Sequence, residues 1–225
     1  MLKRFTKRSH ELERLDTGDY TSDEYRRWQK EMRYIHRIFG EMRALRRTLF
    51  HELDQTDGRV SVLDVGAGSG ELLRELKKWT DGRDIFLTGV EINRDATLSI
   101  QGAKVSAVQA NALRLPFDED SFDFVFSSLF LHHLDDENAV RLLKEKRRVA
   151  KRRIYTIDLN RSAVAYYFYK TFGRLFLQRF TVEDGALSIL RSRTPEELTS
   201  LAEAAGLRDI KVEHSRINRL ILSGI

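Results

Sequence analysis

The chain of 225 residues contains no cysteine. That absence excludes disulfides, thiolate metal sites and every mechanism built on a cysteine nucleophile. No uninterrupted apolar run approaches the ~18 residues that mark a membrane span. The start MLKRFTKRSHELERL turns charged again before a signal-peptide core can form. The expectation is a soluble, cytoplasmic protein with no transmembrane segment. Internal repeats and low-complexity tracts are also missing. A charge excess is nearly so: 39 Lys and Arg stand against 34 Asp and Glu, a net +5, too modest for this length to establish a nucleic-acid partner. Basic residues cluster in YRRWQKEMRYIHR, ALRRTL and LLKEKRRVAKRR, where solvated helix faces are the simpler reading.

What is present begins with a helical stripe. Trp28, Met32, Ile35, Phe39, Met42, Leu45, Leu49 and Leu53 recur at spacings of three and four. Gly40 lies within the stripe and divides it, because an interior glycine costs about 1 kcal/mol relative to alanine. After the turn at Asp57 and Gly58 the pattern changes. Short apolar runs (VSVLDV, IFLTGVEI, KVSAVQA, FDFVFSS, RIYTIDL) alternate with helical stretches. Alternation of this kind predicts a parallel, doubly wound α/β sheet, since right-handed crossovers return the chain to the same edge. TPEELTSLAEAAGL opens with a threonine cap, Pro195 and Glu197, and Gly206 is placed to end that helix. LRDIKVEH and INRLILSG then predict an antiparallel hairpin at the sheet edge. The chain thus divides into an N-terminal helical lid segment, 1–57, and a catalytic-type domain, 58–225.

VLDVGAGSGELLREL places a glycine turn between a strand and a helix, where unpaired backbone N–H groups can meet a polar ligand. A dinucleotide fingerprint, GxGxxG, would need a third glycine at position 71, which is Glu71. The glycines are instead Gly66, Gly68 and Gly70, with Asp64 beneath the turn, and a carboxylate there suits a ligand carrying a positive group. About twenty residues on, Glu91 ends the second strand, where it can accept from both hydroxyls of a ribose.

Together with QANALRLPF and FDFVFSSLFLHHL, these motifs resemble the class I S-adenosylmethionine-dependent methyltransferases over roughly Arg59 to Asp158. The resemblance implies a Rossmann-like seven-stranded sheet, parallel with an antiparallel last strand, and S-adenosyl-L-methionine as cofactor. It implies that Asp64, Gly66, Ala67, Gly68 and Gly70 hold the methionine portion and Glu91 the ribose hydroxyls. Ile92 would pack on the adenine, Asn111 with Ala112 would meet its amino edge, and Ser127 would lie beside the sulfonium. Asn111 departs from the family's usual aspartate, although an amide oxygen can still accept from the adenine amine.

The acceptor is less tightly defined. His132 and His133 follow the fourth strand where the family places the methyl group, and either could serve as catalytic base for a phenol. No metal is expected, because Ser127 and Ser128 stand where metal-dependent relatives carry an acid, and Asp158 and Asn160 read as helix caps ahead of Arg161. Carbon-5 methylation of pyrimidines would need the missing cysteine, and SSLF replaces the NPPY-like motif of adenine amino methylation. AVAYYFYKTFGRLFLQRF reads as a crossover helix with more aromatics than one packing face needs. The surplus suits an apolar acceptor pocket or contact with a membrane surface. RYIHRIFG, LHHL and DGALSILRSRTPEEL further resemble bacterial small-molecule methyltransferases of aromatic polyketide and phenolic lipid pathways. The favoured expectation is a small, largely apolar, aromatic acceptor methylated at a phenolic oxygen, with carbon and nitrogen left open. RNA or protein methylation through the basic N-terminal helices, and a non-catalytic partner subunit of the same fold, remain the alternatives; nucleic acid is the less favoured partner.

Overall fold

The computed structural model describes residues 2–101, 105–215 and 217–225, with the backbone alone at residues 2 and 36–39. The side chains at 36–39, which include Phe39 of the helical stripe and half of RYIHRIFG, therefore lie outside the described residues. A short 3-10 turn (Leu2–Phe5) precedes α1 (Arg14–Thr17), α2 (Ser22–Phe39), α3 (Glu41–Arg47) and α4 (Leu49–Asp54). Gly40 divides the stripe as expected, in the left-handed region at φ 98°. There follow β1 (Val60–Val65), α5 (Glu71–Trp79), β2 (Ile85–Glu91), α6 (Arg94–Ile100), β3 (Val105–Gln109), β4 (Phe122–Ser128), α7 (Asp136–Val149) and β5 (Ala150–Leu159). The chain continues through α8 (Ala163–Phe172), α9 (Arg179–Arg191), α10 (Pro195–Ala204), β6 (Lys211–Ser215) and β7 (Arg219–Gly224).

The seven strands form one sheet in the order β3-β2-β1-β4-β5-β7-β6, with β7 antiparallel to both neighbours. This is the expected doubly wound architecture. Alternate residues of each strand feed two helix layers, as the period of two requires. Leu63, Val65, Val125 and Ile154 pack with Leu142 and Leu143 of α7 and Leu198 of α10. Val60, Val62, Phe124, Phe126 and Ile157 pack with Leu72, Leu73 and Leu76 of α5 on the opposite face. Ala44, Leu45, Leu49 and Leu53 belong to that second layer and are buried. The stretch 41–54 therefore contributes its apolar side chains to the core.

The aromatic run does not form one helix. Its first half is α8; a 3-10 turn at Gly173–Leu175 then breaks the chain, and α9 starts at Arg179. Gly173 weakens helix propagation. The Gln178 N–H donates to Glu31 of α2 at 3.0 Å, a long-range contact that draws the chain out of the helical path. Among the described residues no helix is long and apolar enough to cross a membrane.

Candidate active site

The strand order reverses between β1 and β4, and the crevice beyond their C-terminal ends is where open α/β sheets take ligands. The glycine turn leaves β1 there and the LFLHHL segment leaves β4. Gly66, Gly68 and Gly70 all adopt positive φ, at 75°, 53° and 76°, a region costly to residues with a Cβ. At Gly66 a Cβ would also stand 2.9 Å from the Phe130 ring, so the backbone's approach to that ring depends on glycine. The N–H groups of Gly66 and Ala67 donate to the Val90 carbonyl at 2.9 and 3.0 Å, tying the turn to β2.

Glu91 joins the two halves of this site. Its Oε2 accepts from the Gly68 N–H at 3.0 Å, and its Oε1 from the N–H groups of Ile92 and Asn93 at 2.8 and 3.0 Å. A carboxylate offers about four lone-pair sites, so Glu91 is anchored yet keeps capacity to accept from a ribose. Ile92 beside it is 65% exposed, an uncovered apolar surface suited to an adenine face. Asp64 is buried at the end of β1. Burial pushes its carboxyl up to about 8; Lys146 pulls it down and Glu91 pushes it further up. A positive ligand group above the turn would favour the ionised form of that carboxyl. The turn, Glu91, Ile92 and Asp64 thus fit the implied cofactor.

Three further positions need finer placement. Asn111 is exposed at the end of β3, but its Oδ1 already accepts from the Leu113 N–H at 2.9 Å, which leaves its amide N–H₂ as the freer group. Ala112 is buried in the core beside it. The Ser127 hydroxyl turns into the α7 layer and accepts from Lys146 Nζ at 2.8 Å. Its neighbour Ser128 points to the other face of β4, with a buried hydroxyl that has no hydrogen-bond partner among the described residues.

Lys146 escapes the sequence reading altogether. It is buried on α7, and its ammonium donates to Ser127 Oγ, the Tyr155 carbonyl and Thr156 Oγ1 at 2.7–2.8 Å, using all three protons. Burial lowers its pKa, and the carboxylates of Asp64 and Asp158 resist that fall. Its position on the stripe Ala139, Leu142, Leu143, Lys146, Val149 is the signal that could have found it.

The two histidines separate in role. His132 is buried and its Nδ1 lies 2.6 Å from Asp158 Oδ1, while its backbone N–H donates to Asp158 Oδ2 at 3.0 Å. Leu159 N–H donates to Oδ1 at 2.7 Å. Burial would raise Asp158, but the His132 charge and hydrogen bond and the two backbone N–H groups outweigh it and hold the carboxyl below its ordinary range. An ionised carboxylate only accepts, so His132 Nδ1 carries a proton, and Nε2 is the nitrogen that faces Glu13. Asp158 is therefore not a helix cap; Ser162 caps α8. His133 is partly exposed, and its Nδ1 meets Asp16 of α1 at 3.0 Å.

The N-terminal segment closes over this pair. Glu13 is buried, with Oε1 3.9 Å from His132 Nε2, 3.4 Å from the Arg191 guanidinium, and accepting from Ser188 at 2.9 Å. Burial pushes Glu13 up to about 7 against the pull of His133 and Arg191. Asp184 of α9 accepts from the backbone N–H groups of Arg14 and Leu15 at 3.0 and 2.9 Å, pinning the segment. Glu13, His132 and His133 bring three donor atoms within 4.8 Å of one another. The Arg191 guanidinium already supplies positive charge to that cluster. Many cations of the N-terminal helices are also engaged, Arg14 with Glu24, Arg27 with Glu31, and Arg46 over Trp79.

Comparison with known proteins agrees with this fold. Residues 62–153 match a family model described as a methyltransferase domain. The chain is 34% identical over 93 residues to a demethylmenaquinone methyltransferase of Roseiflexus castenholzii (strain DSM 13941 / HLO8), covering 40% of this chain and 37% of that protein. It is 31% identical over 122 residues to a demethylmenaquinone methyltransferase of Bacillus subtilis (strain 168), covering 48% and 52%. The match thus spans about half or less of these relatives' length. Among solved structures, the plantazolicin methyltransferase BpumL, in complex with a triazolic desmethylPZN analog and SAH, superposes with a TM-score of 0.70 at 16% identity over 89% of this chain and 90% of that one, a likeness of fold.

Proposed function

The chain belongs to the class I S-adenosylmethionine-dependent methyltransferases, and we propose that it transfers a methyl group to a small, largely apolar acceptor through an aromatic hydroxyl. The observation that carries this reading is the buried His132–Asp158 pair, 2.6 Å apart at the ends of β4 and β5. The donor, when bound, presents an activated sulfonium methyl, so the protein's work is alignment and removal of the acceptor's proton. Gly66, Ala67, Gly68 and Gly70 shape the donor's seat, Asp64 faces its positive end, and Glu91 accepts from the ribose. Asp158 holds the proton on His132 Nδ1 and stabilises the imidazolium that forms when Nε2 takes the hydroxyl proton. Residues 2–35 act as a lid. Glu13, itself held by Arg191, lies against His132 and excludes water while the segment stays pinned to Asp184.

The names of the two relatives favour one acceptor class, a reduced demethylmenaquinone, which is a dihydroxy-aromatic ring on an apolar tail. On such a ring, loss of one hydroxyl proton activates the adjacent carbon, so the same base also supports methylation at carbon. The test is turnover with methyl-labelled S-adenosylmethionine on a simple naphthol and on demethylmenaquinol, with the product read by NMR. A labelled methyl on oxygen supports the primary reading and one on the ring carbon the second. No transfer to either hydroxy-aromatic, alongside transfer to an RNA or a peptide, would overturn both.

A further inference from the structure

α8 and the turn after it carry an apolar ridge on the outside of the molecule. Val164, Phe168 and Phe172 recur every four residues on the exposed side of α8, and Leu175 and Phe176 extend the row through the turn. Val164 is 81% and Phe176 76% exposed, whereas Tyr166, on the inner side, is buried against Ala186, Ile189 and Leu190. Core packing therefore accounts for only one side of this helix. Contiguous exposure of large apolar side chains at this density marks an interaction surface.

The ridge's own stretch of chain carries charge of one sign. From Leu159 to Val182 the chain has no Asp or Glu, and it carries Lys170, Arg174 and Arg179 besides Arg161, which is buried against Glu197. Residues 1–10 also have no acid, and they carry Lys3, Arg4, Lys7 and Arg8. The fold packs these two segments together. The Phe5 ring meets Tyr166 and Tyr167 at 5.5 and 6.0 Å, and Arg4 donates to the Tyr166 hydroxyl at 3.0 Å. Lys3, Arg4, Lys7 and Arg174 are exposed along this rim. Arg8 and Arg179 are already paired with Asp136 and Glu183.

We propose that this ridge and its cationic rim dock the protein on an anionic lipid surface, with the α8 aromatics entering the headgroup boundary. An apolar strip flanked by Lys and Arg is what an interfacial helix needs to combine burial with attraction to acidic headgroups. A second copy of the chain fits worse, because pairing ridge to ridge would bring two cationic rims together. α8 leaves the C-terminal end of β5, the end that carries Asp158, so the docked face lies on the side where an apolar acceptor approaches. The docking stands apart from the acceptor chemistry. Vesicle binding is read without donor or acceptor, and its failure leaves the proposed reaction intact.

Co-sedimentation tests the proposal with vesicles of phosphatidylcholine alone and of phosphatidylcholine mixed equally with phosphatidylglycerol. The wild-type chain is expected to bind the mixed vesicles more tightly, and added salt to weaken that binding. The double variant Phe172→Ser, Phe176→Ser is expected to lose binding by about tenfold or more. Lys170→Glu with Arg174→Glu should abolish the preference for anionic vesicles. Leu98→Ser, at an exposed apolar position on α6, should bind like wild type. No binding to either vesicle, retained binding in the phenylalanine variant, or a concentration-dependent dimer that the same variant dissolves would overturn the proposal.

Discussion

Replacing Asp158 with asparagine tests the dyad. Three N–H groups converge on this buried carboxylate: His132 Nδ1 at 2.6 Å, the His132 backbone at 3.0 Å and the Leu159 backbone at 2.7 Å. A carboxamide keeps one acceptor oxygen and turns a donor toward the others, so at least one N–H is left without a partner. Each such buried group costs about 1–3 kcal/mol. For a chain of 225 residues, each kcal/mol moves the melting temperature by about 2–4 °C, so Asp158→Asn should melt about 2–12 °C lower. The larger effect falls on catalysis. Without an ionised partner the Nδ1 proton is no longer held, Nε2 ceases to be a dependable base, and kcat on a phenolic acceptor should fall about 10²–10⁴-fold. Calorimetry with S-adenosylhomocysteine should give an affinity close to wild type, because Asp158 does not touch the glycine turn. Steady-state kinetics across about pH 6–9, thermal melting and this titration together separate the outcomes. A kcat that stays within about threefold of wild type refutes the dyad as base, and so does a loss of cofactor affinity in proportion to kcat.

Two other substitutions are sharp. Gly66→Ala and Gly68→Ala share the left-handed backbone, worth about 1–2 kcal/mol, but only at position 66 does a Cβ meet another group, Phe130 at 2.9 Å; at Gly68 nothing lies within 4 Å. S-adenosylhomocysteine affinity should therefore fall by about tenfold or more in Gly66→Ala and clearly less in Gly68→Ala; the reverse ranking would contradict the geometry. Glu13→Gln tests the buried N-terminal carboxyl by chemical denaturation at two pH values. Burial raises Glu13 from 4.5 to about 7, so the folded state holds more protons between those values, and the stability linked to this group is lost as pH rises through about 7. The glutamine variant should gain on wild type by about 2–3 kcal/mol between about pH 4.5 and pH 8, and a pH-independent difference would show that Glu13 ionises normally.

The sheet and the cluster of the glycine turn with Glu91 were legible because their signals are local. A glycine turn between strand and helix, an acid closing the next strand and a capped helix before a hairpin each announce themselves within a few residues. The dyad was not. Asp158 reads as a helix cap in its own segment and meets His132 only because β5 pairs beside β4. Glu13 and Arg191 were hidden in the same way, since they meet across 178 positions of chain at 3.4 Å. The aromatic run was misread as one helix because Glu31, far away on α2, takes the Gln178 N–H and sets the break. Lys146 was legible in principle, as a lysine on an apolar stripe at helical spacing. Ser127 shows the limit at finer scale: strand register placed it at the right end of β4, but the buried ammonium of Lys146 decided which way its hydroxyl turned.

The central claim is that the glycine turn and Glu91 together hold the methyl donor, and calorimetric titration with S-adenosylhomocysteine tests it most directly. The wild-type chain should bind, and Glu91→Ala should bind about 10–100-fold more weakly, since it loses a charge-assisted bond to a ribose hydroxyl worth about 1.5–3 kcal/mol. No binding by the wild type, or an unchanged affinity in Glu91→Ala, would contradict it.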